Sequence, residues 1–387
     1  MTQYHHYWPA ATTAGYLNGA SRAPQLTAVE QAGHAALSWR TENAGMPIDQ
    51  FFADPEAVKW EFARLVNCPE ADRIALVPSA SYGLATVAAN LPLRAGQNLV
   101  VAAEQFPSNY YGWARRCREV GAELRVVAKP AADSPDSWSD RLLAAVDKQT
   151  AAVALAQLHW ADGTLYDLPA LRARTDEVNA WLILDGTQSV GAYPIDVASL
   201  RPDALVAAGY KWLQGPYGCA YAYYGPRMDG GRPLEENWIN RAGSEDFTQL
   251  VNYRDDYRPL ASRYSVGEHS NFLMMPMQLA ALRTVNEITP ARVQAHTREL
   301  WAAVAEELAE IGVPLPARYA GHLVGLQLPE HWSGAALKVA LAERRLMVSF
   351  RGSSLRVSPN VYNTTEHMSE LVAALRQVAA AAPQPLV

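Results

Sequence analysis

The sequence predicts an α/β fold, with a mostly parallel seven-stranded sheet between helices and a smaller C-terminal α+β domain. Three observations carry this. Short apolar runs bounded by turn residues alternate with helical patterns from about residue 55 to 225. The runs are continuously apolar, as strands buried on both faces require. The 387-residue length exceeds what one small core fills, so two domains are expected. The expected division is a large domain over 20–285 and a small domain made of 1–19 and 286–387.

In chain order, the expected strands are Ile74–Pro78, Asn98–Ala103, Leu124–Ala128, Ala152–Gln157, Trp181–Leu184, Ala204–Ala207 and Ala220–Tyr224. Helical spacing between them places helices at Ser81–Leu91, Tyr110–Val120, Ser139–Ala145 and Leu168–Asn179. From Gly225 to about Phe272 the chain is rich in Gly, Pro, Asn, Arg and Asp and loses periodicity. A segment of that length in a compact enzyme lines a site or reaches a partner subunit. Helical patterning returns at Met274 and again over Arg292–Ile311. The tail at Ala379–Pro385 is expected to fray.

Composition removes several function classes. A net charge of −6, with no basic block, argues against nucleic-acid and anionic-membrane partners. No apolar run approaches bilayer length, and the N-terminus lacks a basic and apolar leader, so a cytoplasmic protein is expected. The three cysteines, Cys68, Cys117 and Cys219, are scattered and suit reduced thiols. No metal site is expected.

The chemistry is carried by residues that follow strand ends, where open α/β sheets bind ligands. Asp185 ends the apolar run Trp181–Leu184, and Lys211 follows the next run in a turn of small residues. A lysine amine that forms a Schiff base, with a carboxylate to hold a pyridinium nitrogen protonated, is what pyridoxal 5'-phosphate chemistry needs. Ser79, Ala80 and Ser81 open a helix directly after a strand, either as a phosphate cradle or as an ordinary cap. Phe106 is placed to stack on the cofactor ring, or else belongs to the core. His159 either faces the substrate or is a satisfied loop histidine. Arg356 lies in a short apolar strand and either clamps a substrate carboxylate or forms a structural ion pair. Ser270, in Ser265–Phe272, is a candidate donor to a neighbouring subunit's phosphate site.

Taken in order, these residues resemble the class V aminotransferase family of pyridoxal-phosphate fold type I. That group includes cysteine desulfurases, selenocysteine lyases, kynureninases and isopenicillin N epimerase-like proteins. The resemblance runs from Tyr16–Ser21, including Asn18, to Arg356 and Tyr362-Asn363. It implies that Lys211 is the Schiff-base lysine and proton shuttle, that Asp185 pairs with the pyridine nitrogen and that Gln188 bonds the phenolic oxygen. It implies a substrate carboxylate on Arg356, with His159 and Asn18 as further substrate contacts, and a homodimer with active sites at the interface. Tyr210 and Phe106-Pro107 resemble kynureninases, whereas Gln188 and Asn109 depart from them.

Desulfurases carry a nucleophilic cysteine shortly before that arginine, and residues 339–355 hold none, so a persulfide-forming desulfurase is not expected. The expected activity is aminotransferase-type: an α-amino acid bound as an external aldimine loses its Cα proton to Lys211. The alternative is a carbon–sulfur lyase or kynureninase-like enzyme, with His159 or Tyr110 as donor to the leaving group. A non-catalytic cofactor-binding protein would have no need of Arg356.

Overall fold

A computed structural model describes residues 4–43, 45, 47–131, 134–352 and 354–381. Seven strands build the large sheet: β1 (Ile74–Val77), β2 (Asn98–Ala102), β3 (Glu123–Val127), β4 (Thr150–Ala156), β5 (Trp181–Asp185), β6 (Ala204–Ala208) and β7 (Ala220–Tyr224). Their spatial order is β1-β7-β6-β5-β4-β2-β3. Strands β2 to β6 run parallel, while β7 is antiparallel to both β1 and β6. The seven runs expected from the sequence are therefore present to within a residue or two.

The sheet is stable because both faces are covered. Successive residues of a strand point to opposite faces. Leu182 and Leu184 of β5, with Leu205 and Ala207 of β6, pack into one apolar cluster. Trp181, Ile183, Ala204 and Val206 pack into the other. β3 departs from the expected buried strand. It is one of the two sheet edges and, unlike β1 at the other, is only partly covered, and Arg125 there pairs with Glu123 and Asp147.

A second sheet contains β8 (Val324–Gln327), β9 (Ser349–Arg351) and β10 (Ser354–Val357) in the order β8-β10-β9, all antiparallel. The helix Thr365–Ala381 packs its Met368, Leu371, Leu375 and Val378 into the same core. That helix runs through the first residues of the tail expected to fray, and the rest of the tail lies outside the described residues. The N-terminal segment joins this region, since Tyr16 bridges Met347 and Asn18 bridges Ser358.

Helices Thr27–Glu42 and Gln50–Leu65, which precede β1, go beyond the elements expected from the sequence. Both pack on the helix Met274–Ile288. The irregular stretch after Gly225 holds only three short 3-10 turns, Pro226–Met228, Phe247–Gln249 and Leu260–Tyr264.

One buried clasp joins the C-terminal segment to the loop after β5. The His322 Nε2 nitrogen lies 2.7 Å from the Gln188 carbonyl, and Gln294 Nε2 lies 2.7 Å from His322 Nδ1 and 2.6 Å from the Ala192 carbonyl. Burial lowers the His322 pKa to about 4, so the ring is neutral.

Candidate active site

The carboxyl ends of the parallel strands and the start of β7 converge on one cavity. Pro78, Ala156, Asp185, Ala208 and Cys219, which line it, end or begin five different strands or directly flank them. Gly209 holds this rim closed. Its N–H donates to the Cys219 carbonyl at 2.9 Å, and a Cβ there would lie 2.9 Å from that oxygen.

Lys211 and Asp185 both line the cavity and both are buried. Burial lowers the Lys211 pKa to about 8; Asp185 opposes this, and Arg356 and Arg351 add to it. The Lys211 Nζ makes no hydrogen bond to a described residue and stands 5.3 Å from the Phe106 ring centre and 5.7 Å from that of Tyr210. Burial raises the Asp185 pKa, while bonds from Thr187 and the charge of Lys211 pull it back. The Thr187 N–H donates to Asp185 Oδ1 at 3.0 Å, and its hydroxyl accepts from the Ala208 N–H at 3.2 Å, which locks the carboxylate between β5 and β6.

At one end of the cavity lies the N-terminus of the helix Ala80–Asn90. Ser79 caps it by accepting from the Tyr82 N–H at 3.1 Å, and its hydroxyl is 2.9 Å from that of Ser81. Free backbone donors and the positive end of the helix dipole there suit a phosphate. Phe106, set by the turn before the 3-10 helix Pro107–Asn109, forms another wall with Trp160; their ring centres are 5.4 Å apart.

Arg356 is 1% exposed, and its fork meets neutral oxygens alone among the described residues. Nε bonds Ser349 Oγ at 3.1 Å, Nη1 the Trp160 carbonyl at 2.9 Å and Nη2 Ser21 Oγ at 2.9 Å. Burial and nearby Arg351 lower its pKa to about 9. A buried guanidinium without a carboxylate is costly, and a bound anion removes that cost. No structural ion pair is present to account for it among the described residues. Asn18 reaches Arg356 only through Ser21, whose hydroxyl donates to Asn18 Oδ1 at 2.7 Å.

Several expected contacts turn out differently. His159 does not line the cavity. It is 1% exposed, with Nδ1 3.2 Å from Asp162 Oδ1 and Nε2 3.0 Å from the Glu104 carbonyl. It is the satisfied loop histidine, and the adjacent Trp160 faces the cavity instead. Tyr110 does not line the cavity either. Gln188 does, but its amide nitrogen donates to the Ala20 carbonyl at 3.0 Å and its oxygen accepts from Trp212 Nε1 at 3.0 Å. One amide hydrogen is left for any other acceptor. Ser270, a candidate for a neighbouring subunit's site and not for this one, lies away from this chain's cavity, beside Phe51 and Trp238, and donates to the Phe51 carbonyl.

Sequence reasoning missed Thr187, Ser21, Ser349 and Tyr217. Thr187 was the legible one, since a hydroxyl two residues after an aspartate marks a side-chain-to-backbone turn.

A cavity that pairs a lysine with a buried carboxylate at the strand ends, in this sheet order, defines a pyridoxal-phosphate fold type I enzyme. The class-V aminotransferase profile matches residues 41–371, and the chain belongs to that family, which is pyridoxal-phosphate dependent. It is 25% identical over 374 residues to an uncharacterized aminotransferase, YcbU, of Bacillus subtilis (strain 168), covering 96% of both chains. Its fold matches the cysteine desulfurase CsdA of Escherichia coli with a TM-score of 0.82 at 19% identity, covering 98% of each chain. It also matches a point mutant of C-DES, with glycine covalently linked to the cofactor, with a TM-score of 0.84 at 19% identity. That match covers 97% of this chain and 100% of the other. Among the described residues no group of three His, Cys, Asp or Glu side chains is placed for a metal, and no helix is long and apolar enough to cross a membrane.

Proposed function

We propose that the chain holds pyridoxal 5'-phosphate on Lys211 and acts on an α-amino acid in an aminotransferase-type reaction. The observation that carries this is Lys211 itself, an amine of lowered basicity in one cavity with a buried carboxylate, beneath an aromatic wall. The residues fit the cofactor. Asp185 has no cation in hydrogen-bond contact among the described residues and would meet the ring nitrogen. Phe106 would face the ring, Ser79, Ala80 and Ser81 would take the phosphate, and Tyr210 would border it. When bound, the cofactor supplies an aldehyde for an amine and a ring that draws electrons from the substrate Cα.

The chain's own residues do the rest. Arg356 binds the substrate carboxylate and orients Cα, steadied by Ser21 and, behind it, Asn18. Lys211 moves the Cα proton, since near neutral pH a group with a pKa of about 8 both accepts and returns one. Phe106, Trp160 and Tyr210 narrow the cavity against water.

A desulfurase-type persulfide step is not part of this reading. The three cysteines are buried, and burial pushes the Cys219 thiol, at the cavity wall, up to about 12. The same reading treats 20–285 as the cofactor domain and 1–19 with 286–387 as the smaller one, supported by the bridges of Tyr16 and Asn18 to the C-terminal segment. It also includes a homodimer.

The test is borohydride reduction of the loaded protein, digestion and peptide mapping, then incubation with amino-acid pools. A cofactor label on any peptide without Lys211 overturns the site. Conversion of the cofactor to its amino form, with a matching 2-oxo acid, supports transamination. Pyruvate, or alanine with a released acid, while the cofactor stays an aldehyde would replace it with a lyase or kynureninase-like reaction.

A further inference from the structure

The small sheet carries a second arginine beside Trp160; neither Arg351 nor Arg356 lines the cavity itself, but the ring they both approach does. In its register Arg356 of β10 lies opposite Ser349 of β9, and Ser354 lies opposite Arg351. Side chains alternate faces along a strand, so Ser349, Arg351, Ser354 and Arg356 share one face. Arg356 on that face bonds Ser21 and the Trp160 carbonyl, which fixes it as the face turned toward the cavity wall. Arg351 and Arg356 are diagonal neighbours on it, within reach of each other for side chains this long. Their guanidinium carbons stand 5.8 Å and 6.0 Å from the centre of one ring, that of Trp160, which lines the cavity.

The charges there are unbalanced. Among the described residues Arg351 bonds the Phe350 carbonyl at 2.7 Å and Arg356 bonds neutral oxygens, and neither forms an ion pair. Lys211 adds a third cation, and both arginines act on its charge. Like charges on one sheet face are destabilising unless an anion lies between them. One carboxylate, taken bidentately by Arg356, answers one guanidinium and leaves the other.

We infer that Arg351 is a second anion-binding residue, and that the substrate is an α-amino acid with an anionic side chain, of the amino-dicarboxylate class. The α-carboxylate goes to Arg356 and the side-chain carboxylate to Arg351, with the Trp160 ring that both guanidiniums approach as an apolar surface for the methylenes. This inference rests on the reading of Arg356 as the α-carboxylate clamp.

The experiment measures binding of plain carboxylates to the cofactor-loaded protein by calorimetry, with butyrate and glutarate as probes of similar carbon-chain length. Glutarate is expected to bind at least roughly tenfold tighter than butyrate. Arg351→Gln is expected to remove that advantage, weakening glutarate roughly tenfold more than it weakens butyrate. Equal binding of both probes by the unmodified protein overturns the inference without any variant. An Arg351→Gln protein that loses butyrate and glutarate alike also overturns it, because Arg351 then shares the grip on one carboxylate. Failure of the underlying reading looks different: Arg356→Ala would leave butyrate binding intact, or the cofactor label would miss Lys211.

Discussion

At the scale of single residues, what matters most is how burial sets the charge of Lys211. A pKa of about 8 leaves about a tenth of the amine neutral at pH 7, against well under a thousandth for an ordinary lysine. In the cofactor-free protein, reductive methylation of Lys211 is therefore expected to quicken about tenfold per pH unit below pH 8 and to level off above it. Peptide mapping at several pH values reads this, and a plateau displaced to about pH 10 or beyond, the range of an ordinary lysine, would show that the lysine is not desolvated. Arg356→Ala is expected to weaken amino-acid binding by roughly ten- to a hundredfold, the worth of charged hydrogen bonds, while the absorbance of the bound cofactor stays as it was. Unaltered substrate affinity would remove the clamp. The placement of Lys211, Asp185 and Phe106 at the strand-end cavity, and of Arg356 inside a buried strand, could be read from the sequence because each stands just past, or inside, a recognisable apolar run. The surroundings of His159, Gln188 and Ser270 could not. Apart from Asp162 beside His159, their partners include Glu104, Ala20 and Phe51, from 55 to 219 residues away along the chain, and no local spacing encodes those distant pairings.

At the scale of elements, continuous apolar runs announced all seven strands, yet direction and coverage stayed hidden. Nothing in Ala220–Tyr224 distinguishes an antiparallel strand from a parallel one, and its direction follows from the short return after Lys211. The two N-terminal helices are hard to read for separate reasons. Thr27–Glu42 buries only Val29 and Gly33, too little for an apolar stripe, and Gln50–Leu65 contains Pro55, which reads as a helix boundary. Gly209 shows how tightly the elements meet. Gly209→Ala forces a methyl against the Cys219 carbonyl and is expected to cost about 1–3 kcal/mol of stability, by analogy with overpacked cores. A urea unfolding midpoint unchanged from the parent would show that the junction of β6 and β7 yields.

At the scale of the whole molecule, the segment after the turn Phe247–Gln249 exposes apolar side chains, Val251 at 78% and Tyr253 at 97% among them. Phe247 of that turn meets Phe51 edge to face, and Phe51 meets Trp238 and Phe272 in the same way. Sedimentation is expected to give twice the 42.3 kDa chain mass, and the double change Val251→Glu with Tyr253→Glu is expected to shift the boundary toward single chains. A parent protein that sediments as one chain would remove the homodimer. The clasp of Gln294 and His322 on Gln188 and Ala192 bears on motion within each chain. It ties the C-terminal segment to the loop after β5 with bonds sealed from water, and separating them would strand several polar groups. It does not act alone, because the Gly325 N–H bonds the Asp162 carbonyl and Arg356 bonds the Trp160 carbonyl. The C-terminal sheet is thus held at separate points, and moving it away from the cavity would break buried bonds at each of them.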